Sequence, residues 1–103
     1  MIIAEEQNYY KKENDLRFIE VEIMKPILKD TTWECSFTMR GYGITNRKLF
    51  GETSMQALTF AIQLAKLNLI LMIDDGYYYF DDDENKILTK EESLDILNAI
   101  YGQ

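Results

Sequence analysis

The sequence contains no histidine. That removes the commonest general base, the imidazole zinc ligands and the usual Ser-His-Asp and Cys-His catalytic arrangements. Any catalysis would have to run on carboxylates, lysine, tyrosine or the single cysteine, Cys35. A lone cysteine makes no internal disulfide, which agrees with a reducing compartment. Proline is nearly absent, with one residue, and glycine is scarce, with five. No Gly/Ser/Pro linker, low-complexity tract or internal repeat divides the chain. Long hydrophobic runs are missing too: the most apolar stretch, "LNLILMI" at 67–73, falls well short of the roughly 18 residues a bilayer span requires. The opening "MIIAEEQ" carries two acids where a secretion signal has lysine and an apolar stretch. These absences predict one soluble globular domain over residues 1–103, residing in the cytoplasm.

What is present is unevenly distributed. Nearly half of the residues are apolar, at 47%, and 13% are aromatic, enough for a single modest core. Net charge is -7, and six carboxylates account for most of it: Asp74, Asp75, Asp81, Asp82, Asp83 and Glu84, in "IDDGYYYFDDDENK" at 73–86. The other residues hold 12 acids against 11 bases and are nearly neutral. A field of that sign repels nucleic acid and lipid headgroups and attracts metal cations or a basic protein.

Strand periodicity fills the first half. "RFIEVEI" (17–23) alternates Ile19, Val21 and Ile23 with Phe18, Glu20 and Glu22, and "TTWECSFTMRG" (31–41) turns Trp33, Cys35, Phe37 and Met39 inward. Pro26 has no N–H for a ladder, so "KPILKDT" reads as a connection. Residues 2–10 read as an edge strand joined through "KKEND", and 47–50 as a short fourth strand after the glycine turn "GYG". "GYGITN" lacks the Gly-Lys-Ser/Thr of a phosphate loop, and Arg47 with Lys48 is too little basic charge for nucleic acid.

Helical spacing takes over at "GETSMQALTFAIQLAKLNLI". Thr53 and Gln56 fit a capping box. Gln56, Thr59, Gln63 and Lys66 make a narrow polar stripe, so the helix should be mostly buried against the sheet, Met55 included. Its persistent apolar pattern favours a long helix to about Ile73 with Gly76 behind it. The alternative stops near Asn68 and pairs "LILMI" with "YYYF" around an Asp75-Gly76 turn. A second helix starts at Thr89 and Glu92 and carries Leu94, Leu97, Ile100 and Tyr101 on its apolar face. The predicted fold is α+β: an antiparallel sheet of about four strands, then a long helix packed on one face and a short C-terminal helix.

The runs "WECSFTMRG" and "FGETSMQALTFAI" resemble a family of small uncharacterised bacterial proteins. Its marks are a Trp-x-Cys core strand, a glycine, and then Gly-x-x-x-x-Gln-Ala-Leu opening a long helix, with a preceding strand that ends in proline as at Pro26. The resemblance covers about residues 15–69, matches Trp33, Cys35, Gln56, Ala57 and Leu58, and implies a sheet with a helix on one face. It brings no catalytic residues, and the acidic stretch after about residue 70 falls outside it. In size, acidity and simplicity the chain also resembles immunity proteins of bacterial toxin systems, including contact-dependent growth inhibition.

Function then turns on the acidic aromatic stretch. In a strand, Tyr77 and Tyr79 face one way and Tyr78 and Phe80 the other, so one pair can pack inward while the second stays accessible. Tyrosines rimmed by carboxylates suit a cationic partner. The expected partner-binding residues are Asp74, Asp75, Tyr77, Tyr79, Asp81, Asp82, Asp83 and Glu84. The expected partner is a basic protein such as a toxin domain, with no cofactor, nucleic acid or membrane involved. Three other readings stay open. Asp81–Glu84 as a solvated turn is the plainest. A carboxylate-based, metal-assisted enzyme at that run would lack the spacing of a calcium loop. A structural or adaptor subunit would form a homodimer through the edge strand at 2–10.

Overall fold

The computed structural model describes residues 1–102 and holds a seven-stranded antiparallel sheet with two helices. β1 (Ile2–Lys12) and β2 (Asp15–Met24) form a long hairpin paired from Ile2↔Met24 to Lys12↔Asp15. Pro26 ends β2 but does not take the chain out of the sheet. β3 (Ile27–Lys29) resumes pairing along the same edge of β4 (Thr32–Arg40): Ile23 faces Phe37 and Ile27 faces Glu34, four steps on one strand against three on the other. The stretch expected to be a plain connection is therefore a one-residue bulge followed by a strand. β5 (Ile44–Gly51) pairs with the other edge of β4 and is longer than the expected 47–50. The acidic stretch supplies two more strands, β6 (Tyr78–Asp81) and β7 (Lys86–Ile87), so the sheet has seven strands and not four.

Alternation decides the inner face as the sequence predicts. Ile19, Val21 and Ile23 of β2 and Cys35, Phe37 and Met39 of β4 are all buried, while Trp33 is half-buried. The opposite face holds charges in pairs: Arg40 with Glu22, and Glu34 between Lys29 at 3.3 Å and Lys48 at 3.6 Å.

The helix α1 (Ser54–Asp74) crosses the inner face. Thr53 Oγ1 accepts the Gln56 N–H at 3.0 Å. The Gln56 side chain reaches past the cap to accept the Glu52 N–H at 2.7 Å, so the reciprocal bond of the expected capping box lands one residue early. The long-helix reading holds at the other end. Gly76, at φ +100°, donates to Ile73 O and Tyr77 donates to Met72 O, both at 3.0 Å, the paired bonds of a left-handed glycine cap.

The expectation of a mostly buried helix fails. Only Ala57, Ala61, Ala65, Leu69, Met72 and Ile73 are buried, because the small alanines let one narrow stripe sit close on the sheet. Phe60, Leu67 and Leu71 lie on the outer side, and Met55, expected inside, is 71% exposed. By length and composition α1 would suffice to cross a membrane, at a mean hydropathy of 1.5 over its 18-residue window. In this fold it is the core helix on the sheet. α2 (Lys90–Tyr101) starts with a complete capping box, Thr89 with Glu92, and buries Leu97 and Ser93, while Ile100 of its expected apolar face is exposed.

The "GYG" turn between β4 and β5 has little latitude. Gly41 and Gly43 sit at φ +86° and +91°, and a Cβ on Gly41 would fall 2.3 Å from the Phe18 carbonyl oxygen, whereas Gly43 faces open space. Gly43→Ala is expected to cost about 1–2 kcal/mol from backbone strain alone. Gly41→Ala adds a backbone collision and should cost more. Urea unfolding of both variants checks the order.

Candidate binding groove

The chain reversal after α1 fixes which aromatics point inward. Tyr77 and Tyr79 are 8% and 4% exposed, while Tyr78 and Phe80 are half-buried. The alternation holds, but the pair named for partner contact is the buried one. Core packing takes them: the Tyr79 ring lies 4.6 Å from Tyr10. Its N–H donates to Ser93 Oγ at 3.0 Å, and its carbonyl accepts the Leu88 N–H at 2.9 Å. The Tyr77 hydroxyl donates to Asp15, and this hydrogen bond holds the Asp15 carboxyl below the usual range.

The six acids do not form one patch. Asp74 and Asp75, at the negative end of α1, meet Lys90 at 3.5 Å and Lys12 at 3.6 Å. Lys12 and Arg17 also stand over the Tyr77 ring, at 5.6 Å and 4.7 Å. This end is a mixed-charge junction that ties the β1–β2 hairpin to the helix. Asp81–Glu84 lie at the far end of β6, on the turn to β7. Asp81 Oδ1 accepts the N–H groups of Asp83 at 3.0 Å and Glu84 at 3.2 Å, so it shapes the turn. Asp82, Asp83 and Glu84 project into solvent. Among the described residues, no lysine or arginine reaches ion-pair distance of Asp81–Glu84, and no three metal-ligating side chains converge as ligands would.

β1 and β6 pair only at Tyr10↔Tyr79 and Lys11↔Tyr78. The same register carried on would bring Tyr9 to Phe80 and Asn8 to Asp81. The strands diverge there instead, and an open groove of about 610 Å³ lies between them. One wall is Gln7, Asn8 and Tyr9 with Phe18, the rings of Tyr9 and Phe18 being 4.9 Å apart. The other wall is Tyr79, Phe80 and Asp81–Asp83, with Leu88 and Ile96 completing the lining. Of the residues expected at a site, the groove gathers Tyr79, Asp81, Asp82 and Asp83. Glu84 stands beside it on the turn, and Asp74, Asp75 and Tyr77 belong to the junction. Tyr9, Phe18 and Phe80 were not foreseen as lining; only the edge-strand reading of 2–10 hinted at β1.

Behind the groove lies a cluster of phenols. Glu6 accepts from Tyr101 OH at 2.6 Å, from Asn8 Nδ2 at 2.5 Å and from Tyr79 OH at 3.4 Å. Among the described residues, the buried Tyr10 hydroxyl has no hydrogen-bond partner. Burial is the main cause that raises Tyr10, Tyr79 and Tyr101 far above the ordinary phenol value, so all three stay protonated at neutral pH. Cys35, fully buried, donates to Met24 O at 3.3 Å, and burial pushes its thiol up, as suits a packing residue.

Residues 6–87 match a protein family described as a domain of unknown function, DUF6968. The match runs beyond residue 70 and takes in the acidic aromatic stretch, which therefore lies within the family's domain. No curated protein and no solved structure matches the chain.

The phenol cluster predicts alkaline instability. Above about pH 10 the unfolded chain loses phenolic protons that the folded chain keeps, so stability should fall as pH rises, by up to about 1.4 kcal/mol per pH unit for each phenol. Tyr10→Phe removes an unsatisfied buried hydroxyl and should stabilise the protein at pH 7 by about 1 kcal/mol. It should also reduce the alkaline slope. Denaturant unfolding between pH 7 and 11 checks both.

Proposed function

We propose that this chain, a member of the DUF6968 domain family, is a non-enzymatic protein-binding module whose groove takes a cationic segment of a partner protein. Its most concrete form is an immunity protein that neutralises a basic toxin domain in a bacterial cytoplasm. One observation carries the reading: a groove of about 610 Å³ joins aromatic walls to a turn whose carboxylates have no lysine or arginine at ion-pair distance among the described residues. Carboxylates on the rim raise the encounter rate of a basic partner, and desolvated rings beneath them supply affinity. The net charge of -7 acts in the same direction over longer range.

The test leaves Asp81 in place, because its carboxylate holds the turn. Asp82→Lys with Asp83→Lys reverses the rim charge on exposed residues and should leave thermal stability unchanged. Coexpression with a growth-arresting basic toxin domain that the natural protein captures should relieve arrest for the natural protein and not for the double variant. The association rate should fall at least tenfold between low and high salt for the natural protein alone. Equal protection by the double variant, or a salt-independent rate, would overturn the assignment.

A further inference from the structure

β2 pairs with β1 along its whole length, whereas β6 reaches only Tyr10 and Lys11. From Ile2 to Tyr9 the other edge of β1 has no strand beside it among the described residues, and the backbone groups on that side face solvent. Eight residues at about 3.3 Å each make a free edge roughly 26 Å long. Of the residues that commonly guard such edges, "IIAEEQNY" has no proline or lysine and one inward-pointing charge, Glu6. A bulge at Ile3 interrupts only its first residues.

The two faces along this edge differ in character. On the inner face, Ala4 and Glu6 border a cavity of about 250 Å³ that Val21, Ile23, Ile62, Ile100 and Tyr101 also line and that Glu5 touches. On the outer face, Glu5 is exposed and Gln7 holds Glu20 at 3.1 Å. The groove with Asp81–Asp83 opens at the Tyr9 end of the same edge.

We infer that this edge receives an extended segment of the partner as an added strand, running from the groove toward Ile2. The segment alternates small apolar residues, seated toward the inner cavity, with lysine or arginine beside the outer carboxylates. The inference rests on the cation-binding reading of the groove and adds main-chain pairing to it. A second copy of the chain is the poorer occupant. Two antiparallel β1 strands centred on Glu5 or on Glu6 would set that carboxylate against its own copy, and like charges directly opposite destabilise a sheet.

The probe is a capped nine-residue peptide of alternating lysine and valine, with two N-methylated versions that each block one alternate set of its amides. The parent should bind, slow hydrogen exchange within residues 2–9, and lose affinity at least tenfold in one of the two methylated versions. Equal affinity of both methylated versions, with protection confined to the β6–β7 turn, would overturn strand addition and leave the cationic groove standing. No binding of the parent would overturn both. A dimer in sedimentation velocity whose amides at 2–9 are already protected would assign the edge to a second copy and overturn the inference.

Discussion

Everything distinctive at the site depends on how Tyr79 is tethered, because β6 pairs with β1 at Tyr78 and Tyr79 and no farther. The Tyr79 N–H is bound by Ser93 Oγ, which in turn donates to Thr89 O at 2.8 Å. One buried hydroxyl thus joins β6 to the first turn of α2. The Tyr79 carbonyl is taken by Leu88, its ring by Tyr10 and its hydroxyl by Glu6. The glycine cap of α1 fixes Tyr77 two residues earlier. Held at these points, β6 follows the β6–β7 hairpin and α2, not β1. The groove is the space left by that commitment.

The same commitment divides a charge run that looks uniform in composition. Asp74 and Asp75 oppose the dipole of their own helix, an arrangement that Lys90 and Lys12 offset. Those pairs are exposed, so each contributes no more than about 1 kcal/mol. Asp81 is occupied by the turn amides. Three acids, Asp82, Asp83 and Glu84, remain for an outside cation. The charge without a nearby cation is therefore about half the compositional one, and Asp82 and Asp83 carry it beside the aromatic lining.

The sheet strands around Val21 and Phe37 were legible because alternation on a half-buried strand leaves a direct record of which face is covered. The cap of α2 and the length of α1 were legible for a similar reason: their hydrogen bonds are local. What was not legible was relational. Whether Pro26 ends a sheet or merely bulges it depends on β4 across the ladder. Periodicity marks the apolar residues of α1, but how many are covered depends on how wide a sheet lies beneath. Tyr77 and Tyr79 were correctly placed on one face, yet which face points inward is set by the glycine cap before them and by Ser93 behind them. The groove itself needs residues 7–9 and 79–83 together, a pairing for which one sequence holds no signal.

A free strand edge is normally a hazard, since it templates pairing with any extended chain. Here the same two residues sort the possible partners. Glu5 and Glu6 each oppose their own counterpart in a copy of β1 laid antiparallel on itself, and Glu5, on the outer face, attracts a strand with cations at the matching positions. Glu6 is further held by Tyr101, Asn8 and Tyr79, so its carboxylate cannot swing away to relieve the repulsion. The cavity on the inner face adds a second criterion, because the walls of Val21, Ile23, Ile62 and Ile100 favour apolar side chains beside Ala4. An edge filtered by charge on one face and by apolar character on the other discriminates among extended segments without reading any single side chain in detail. A β1 strand lined with lysine would have been safer against aggregation, but it would have repelled a cationic partner.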